Sequence, residues 1–206
     1  MKNVSENTIN RMSIYYRLLT YLARQGTRTI SSKSLANVLG IKDSQVRKDL
    51  SYFGKFGVRG AGYDVIELSR KILAILGLEK GRKVAIIGMG NLGSALAAFR
   101  GFSDFGFDIR AVFDNNPNKI GRTIRGHLCH SMEDLRKFVK SESIEMIILT
   151  VPTEQAQETA SRAVETGIKA ILNFAPVRLN VPAKVRVNNV DLALELKKLS
   201  YFAGKN

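Results

Sequence analysis

An α/β chain in two parts, a small basic helical domain followed by a doubly wound parallel sheet, is what this sequence predicts. Three observations carry that prediction. The first eighty residues hold fourteen Lys or Arg against six Asp or Glu, whereas residues 81–206 hold eighteen against twelve. Helical periodicity then gives way to alternating strand and helix signals. At the change, "VAIIGMGNLGSAL" (84–96) runs apolar β-formers into Gly88, Gly90 and Gly93. With 206 residues, 45% of them hydrophobic, the chain suits one or two packed domains.

The elements follow in order. "SIYYRLLTYLARQG" (13–26) spaces Ile14, Leu18, Tyr21 and Leu22 as one helical face, with Gly26 as a stop. "SSKSLANVLG" reads as a second helix ended by Gly40. Asp43 is placed to cap a third, "SQVRKDLSYFG", whose Val46, Leu50 and Phe53 turn inward. A short Gly-containing link between such helices signals a helix-turn-helix. Gln45, Arg47, Lys48, Ser51 and Tyr52 fall outside the apolar stripe, and most are types that reach phosphates and base edges. "GKFGVRGAGYDV" (54–65) then reads as a Gly-rich hairpin, a wing with Arg59 at its tip aimed at a minor groove. A solvated basic face is the plainer reading of the charge. The ordered set of three helices, basic third helix and basic wing favours double-stranded DNA as partner.

The second part alternates "KVAIIG" (83–88), a helix near 92–100, "DIRAVFD" (108–114), a helix near 131–140, "MIILTVP" (146–152), a helix near 154–166, "KAILNF" (169–174) and "VRVNNV" (185–190). Such alternation specifies a Rossmann-type sheet. In that frame Gly88 permits the tight turn, Gly90 lets backbone N–H groups approach a pyrophosphate, and Gly93 brings helix against strand. Asp114 follows Gly93 by twenty-one residues at a strand end. A carboxylate there accepts from ribose hydroxyls and repels a 2′-phosphate, which favours NAD(H) over NADP(H). Lys119 and Arg122 lie close enough to answer a phosphate instead.

Equipment for catalysis is missing from this reading. His127 and His130, the two histidines, fall in an expected crossover segment without partners, and "YFAGK" (201–205) matches a Tyr-x-x-x-Lys spacing without the large helix that should carry it. Cys129 is the single cysteine, so an intrachain disulfide is excluded, and "HLCH" has no standard zinc spacing. No catalytic or metal-binding residue is assigned. No apolar run approaches the roughly 20 residues of a membrane span and no signal peptide is evident, so a soluble, cytoplasmic protein without a membrane partner is expected.

These segments are similar to the Rex family of redox-sensing transcriptional repressors over essentially the whole chain. The resemblance rests on "RMSIYYRLL" (11–19), "SQVRKDLSYFGKFGVRGAGYDV" (44–65), "GMGNLGSAL" (88–96), "VFD" (112–114), "TVP" (150–152), "NFAP" (173–176) and "VDLALELKKLSYF" (190–202). Ser13 stands where many relatives carry proline, and Asn91 where some carry arginine. The resemblance implies a homodimer of winged-helix domains (1–80) and Rossmann domains (81–190), with a C-terminal helix (191–206) exchanged between subunits. Leu192, Leu196, Leu199 and Ala203 form one apolar stripe there, though a helix packed on its own domain would show the same. Family members bind inverted-repeat operators when NADH is scarce and leave them when NADH rises relative to NAD+.

The nucleotide set expected is therefore Gly88, Gly90, Asn91, Leu92, Gly93, Asp114, Thr150, Val151 and Pro152. The DNA set is Ser44, Gln45, Arg47, Lys48, Tyr52, Lys55 and Arg59. Two alternatives remain open on sequence: a short NAD-dependent oxidoreductase, and a DNA-binding regulator that senses another adenine nucleotide such as coenzyme A.

Overall fold

The computed structural model describes residues 4–57 and 62–204, and the chain divides into two compact units, Met1–Lys80 and Gly81–Asn206. Each unit has its own core. In the first, α1 (Glu6–Arg24) starts at Ser5, whose hydroxyl accepts from the Thr8 N–H. Its buried face is Thr8, Met12, Tyr15 and Leu19. Ile14 and Tyr21, expected to face inward, are 50% and 59% exposed. Leu18 and Leu22 only flank the core. The helix begins seven residues earlier than the apolar run suggests, and the face that serves the core is set by Met12 and Tyr15.

After β1 (Thr29–Ile30), Ser31 caps α2 (Ser32–Leu39), and Gly40 ends it with φ +65°. That backbone is left-handed, which glycine adopts without a Cβ penalty. The third helix, α3 (Asp43–Ser51), differs from expectation at its start: Lys42 occupies the cap position without a side-chain bond, and Asp43 is the first helical residue. There its carboxylate faces the positive end of the helix and pairs with Arg47 one turn on. Val46 and Leu50 are buried and Phe53 packs at the edge of the same cluster.

Of the segment expected to form the wing, residues 58–61 lie outside the described residues, and its end is β2 (Tyr63–Asp64), paired antiparallel with β1 through Thr29↔Asp64 and Ile30↔Tyr63. Arg59 lies outside the described residues. A helix not expected from sequence follows, α4 (Val65–Ile75), capped by Asp64 accepting from the Glu67 N–H and burying Val65, Leu68 and Ile72.

The second unit is a seven-stranded sheet. It contains β3 (Arg82–Ile87), β4 (Phe107–Asp114), β5 (Thr123–Ile124), β6 (His127–Ser131), β7 (Met146–Leu149), β8 (Ala170–Asn173) and β9 (Arg186–Asn189). Their spatial order is β5-β6-β4-β3-β7-β8-β9, and every pairing is parallel except β5 with β6. Leaving aside the β5 edge, this is the strand order 3-2-1-4-5-6 of dinucleotide-binding sheets, with its reversal between β3 and β7. Along β3 the side chains alternate: Ala85 and Ile87 enter one core, Val84 and Ile86 the other. Such two-sided burial explains the unbroken apolar run.

The helices are α5 (Asn91–Ala97), α6 (Gly101–Asp104), α7 (Leu135–Ser141), α8 (Thr153–Glu165) and α9 (Leu192–Ala203). His127 and His130 belong to β6 and not to a crossover, and Tyr201 lies within α9. Strand β6 was hidden because "HLCH" has none of the β-branched residues that mark strands.

Candidate functional site

In dinucleotide-binding sheets the ligand lies outside the carboxyl ends of the strands at the reversal point. Here Ile87 of β3 runs directly into Gly88, whose φ of +98° would strain any other residue. A Cβ on Gly88 would also sit 2.7 Å from the Thr150 carbonyl oxygen, and one on Gly93 only 1.9 Å from the carbonyl oxygen of Gly88. Thr150 locks this contact by donating its hydroxyl to the Gly88 carbonyl at 2.7 Å. Gly88 and Gly93 are thus required by the protein's own packing.

Gly90 is different. It sits at the start of α5 with ordinary φ, and apart from its own chain neighbours no described atom lies within 4 Å of where its Cβ would be. The space is a cleft of about 630 Å³, walled by Gly88, Gly90, Asn91 and Leu92 on one side and by Thr150, Val151 and Pro152 on the other. The first N–H groups of a helix have no intrahelical acceptor, so this wall offers donors beside a floor without side chains. A pyrophosphate fits that chemistry.

Asp114 closes one end of the cleft. Its carboxylate accepts from the N–H groups of Met89 and Asn116, both at 2.8 Å, and from the Lys119 ammonium at 2.9 Å. Burial opposes the charge, but Lys119 and the two backbone donors outweigh it and hold the group below the usual carboxylate range. Asp114 is ionised at neutral pH and already oriented toward the cleft rim. The cleft also takes in Asn115, Asn116, Met132, Gln155 and Thr159, which the sequence reading missed. Asn115 and Asn116 follow Asp114 directly and were within reach of inference; Met132 and Thr159 carry no sequence signal that separates lining from core.

In the first unit, α3 turns Ser44, Arg47 and Lys48 to solvent, and Tyr52 and Lys55 beyond its end are exposed as well. Arg47 donates to Asp43 at 2.6 Å and Ser32 at 3.2 Å. An exposed i,i+4 pair of this kind contributes only about 0.3–0.5 kcal/mol, so the guanidinium is readily transferred to a phosphate or base. Arg47 and Lys55 share a groove with Ser31, Ser32 and Ser51. Gln45 is half-buried and bonded to Asp49, not simply displayed.

The histidines offer no catalytic arrangement: His130 packs tilted against Phe138 with ring centroids 4.0 Å apart, and Cys129, next to it in β6, is buried. Among the described residues no group of three His, Cys, Asp or Glu side chains is placed to hold a metal ion, and no helix is long and apolar enough to cross a membrane.

Comparison with known proteins joins the two units. Residues 3–51 match a family model described as a putative DNA-binding protein N-terminus, and residues 79–177 one described as a CoA binding domain. The redox-sensing transcriptional repressor Rex of Desulfitobacterium hafniense is 47% identical over 98% of this chain and 96% of its own length. The chain belongs to the Rex family. The Rex repressor of Thermus thermophilus is 46% identical over 96% of the chain and 93% of its own. Among solved structures, a Rex-family repressor in complex with β-NAD+ and operator DNA matches with a TM-score of 0.93 at 40% identity, covering 100% of this chain and 94% of that one. The same repressor with β-NADH gives 0.87 at 38% identity, covering 100% and 96%. Rex relatives are named as transcriptional repressors, and this member is a regulator and not an enzyme.

Proposed function

We propose that this Rex-family repressor binds inverted-repeat operator DNA when NADH is low and is released from it when NADH fills the cleft at the β3–β7 reversal. The observation that carries this reading is the full-length match to a repressor solved both with NAD+ and operator DNA and with NADH. The cleft supports it, since Gly90 leaves open the place a pyrophosphate needs and Asp114 supplies an ionised acceptor for a ribose diol. On this reading Asn91, Leu92, Thr150, Val151 and Pro152 hold the nucleotide from the two walls, and Gly88 and Gly93 shape the turn that carries them. Ser44, Gln45, Arg47, Lys48, Tyr52, Lys55 and Arg59 face the DNA.

The repressor acts as a homodimer. Helix α9 supports this: Leu192, Leu196, Leu199 and Phe202 are each more than half exposed, and none of its residues is buried within the chain. Two-fold symmetry in the protein then requires two-fold symmetry in the operator. Selectivity for the reduced cofactor follows from desolvation, because the nicotinamide of NAD+ carries a positive charge that a largely apolar pocket penalises and that of NADH does not.

One titration tests the whole reading. Labelled inverted-repeat DNA bound to the protein is challenged with NADH, NAD+, NADPH and coenzyme A in turn. NADH releases the DNA at the lowest concentration. Equal release by coenzyme A would make the protein a sensor of adenine nucleotides in general, and release by none of them would remove the cleft from DNA control.

A further inference from the structure

The cluster in the DNA-binding unit that the reading above does not use is centred on Asp49. Its side chain is fully buried, an uncommon place for a carboxylate. Four hydrogen bonds hold it. Oδ2 accepts from Arg11 Nε at 2.5 Å and from the Tyr15 hydroxyl at 2.8 Å. Oδ1 accepts from Arg11 Nη2 at 2.7 Å and from Gln45 Nε2 at 2.7 Å. A carboxylate offers about four lone-pair positions, so this one is saturated. Although burial opposes its charge, Arg11, Tyr15 and Gln45 together hold Asp49 below the usual carboxylate range, and it remains ionised and acceptor-only at neutral pH.

That chemistry settles the orientation of Gln45. A carboxamide can turn either its NH₂ or its oxygen toward a neighbour, and a protonated or amide partner would accept both arrangements. An ionised carboxylate accepts only the first. Gln45 lies one turn before Asp49 on α3, between the exposed Ser44 and the exposed Arg47, and one hydrogen of its Nε2 is committed to the interior. The two atoms of an amide diverge, so Oε1 is held away from Asp49 and makes no hydrogen bond to any described residue.

We infer that Asp49 is a positioning residue for sequence readout: it fixes Gln45 with an acceptor outward, so that Gln45 selects a base bearing an exocyclic amino group in the major groove. Adenine fits first, because Oε1 accepts from N6 while the second hydrogen of Nε2 reaches N7; cytosine, with N4 alone, fits second. Thymine O4 and guanine O6 offer Oε1 no donor, so these bases forgo that bond and keep at most the one from Nε2. The inference rests on the reading of α3 as the DNA-facing helix. What it adds is a direction of specificity and its source, a buried carboxylate that touches no DNA.

The test is a half-site library in which each base pair is varied, bound by the parent, Gln45→Ala, Asp49→Asn and Tyr15→Phe proteins, with Arg47→Ala and Lys48→Ala as references. Gln45→Ala should relax discrimination at one base pair per half-site by about five- to 150-fold and leave binding to unrelated duplex unchanged. The parent should prefer adenine or cytosine on the contacted strand at that pair. Asp49→Asn should alter the same pair and no other, since a neutral partner lets the Gln45 amide turn over and accept thymine or guanine. Tyr15→Phe removes a donor but not the charge, so it should leave base preference intact while lowering the melting temperature. If Asp49→Asn does not fold, Arg11→Gln/Asp49→Asn removes the buried cation with the anion and is measured in its place. A parent preference for thymine or guanine at the Gln45 pair overturns the inference, as does an Asp49 variant that folds and keeps the parent's preference. If Gln45→Ala changes no pair while Arg47→Ala and Lys48→Ala weaken binding, the clamp is wrong and the helix assignment stands. If all three leave binding unchanged, the helix assignment itself is wrong.

Discussion

Three glycines in one motif answer to different physics, and substitution separates them. Gly93→Val should cost folding, because the new Cβ would collide with the Gly88 carbonyl oxygen, which is itself held by Thr150. Gly90→Val should fold with a melting temperature near the parent's, since its φ is −72° and its side chain would enter the open cleft. What Gly90→Val loses is nucleotide: it should stay on operator DNA at NADH levels that release the parent. A Gly90→Val protein that responds normally to NADH would remove the glycine loop from the mechanism. At the other end of the cleft, Asp114→Asn keeps the size of the side chain but discards the charge, replaces one of the two oxygens that receive the Met89 and Asn116 N–H groups with an NH₂, and frees Lys119. Like charges juxtaposed in a partly desolvated site cost several kcal/mol. The ratio of NADPH to NADH concentration needed for release should therefore fall by about tenfold or more, from weaker NADH and stronger NADPH binding together. A ratio unchanged from the parent's would make Asp114 a strand-end residue only.

At the scale of elements, sequence pattern carried furthest where burial was two-sided or capping was strong. Strands β3 and β7 announce themselves as apolar runs because both faces are covered, β4 does so only over Ala111–Phe113, and α2 is bounded by Ser31 and Gly40. Helix α4 went unseen because Val65 and Ile66 continue the β-forming character of Tyr63; the decisive signal is the Asp64 cap answered at Glu67, a helix-starting pair. In the cleft, glycine spacing and Asp114 were legible, whereas Met132 and Thr159 become lining only through the path of the chain. The Asp49 clamp was illegible for a similar reason, since Arg11 is thirty-eight residues away and no local pattern links them. Helix α9 is the element whose stripe was legible but whose partner was not. Leu196 and Leu199 are 68% and 64% exposed, and an isolated twelve-residue helix is marginal in water. On the proposed reading its packing comes from a second copy, so a chain ending at Val190 should sediment as a monomer while the parent sediments as a dimer. Loss of two-site engagement should weaken operator binding by about 10²- to 10⁴-fold. A truncated chain that remains dimeric would place the interface elsewhere.

For the whole molecule, the net charge of +14 favours DNA whatever the nucleotide state, so charge alone cannot switch it. On the proposed reading, switching requires two arrangements of a dimer, one fitted to both half-sites and one not, with NADH binding the second more tightly. A ligand moves such an equilibrium only by its differential affinity, and going from 1:99 to 99:1 takes a ratio of about 10⁴, or about 5.5 kcal/mol. The same free energy must appear from the other side, because coupling between two binding sites is reciprocal. Operator DNA should therefore weaken NADH binding by the factor through which NADH weakens operator binding. The check is a closed cycle of four dissociation constants: NADH to free protein and to the operator complex, and operator to free protein and to NADH-saturated protein. All four belong at one salt concentration, since a protein making 6 to 10 phosphate contacts changes its DNA affinity by about 10³ to 10⁵ between 50 and 200 mM salt. Gly90→Val supplies the control, because its operator affinity should be the same with and without NADH. If NADH binds the operator complex as tightly as the free protein while still displacing DNA, the cycle does not close and release proceeds by some route other than a two-state dimer.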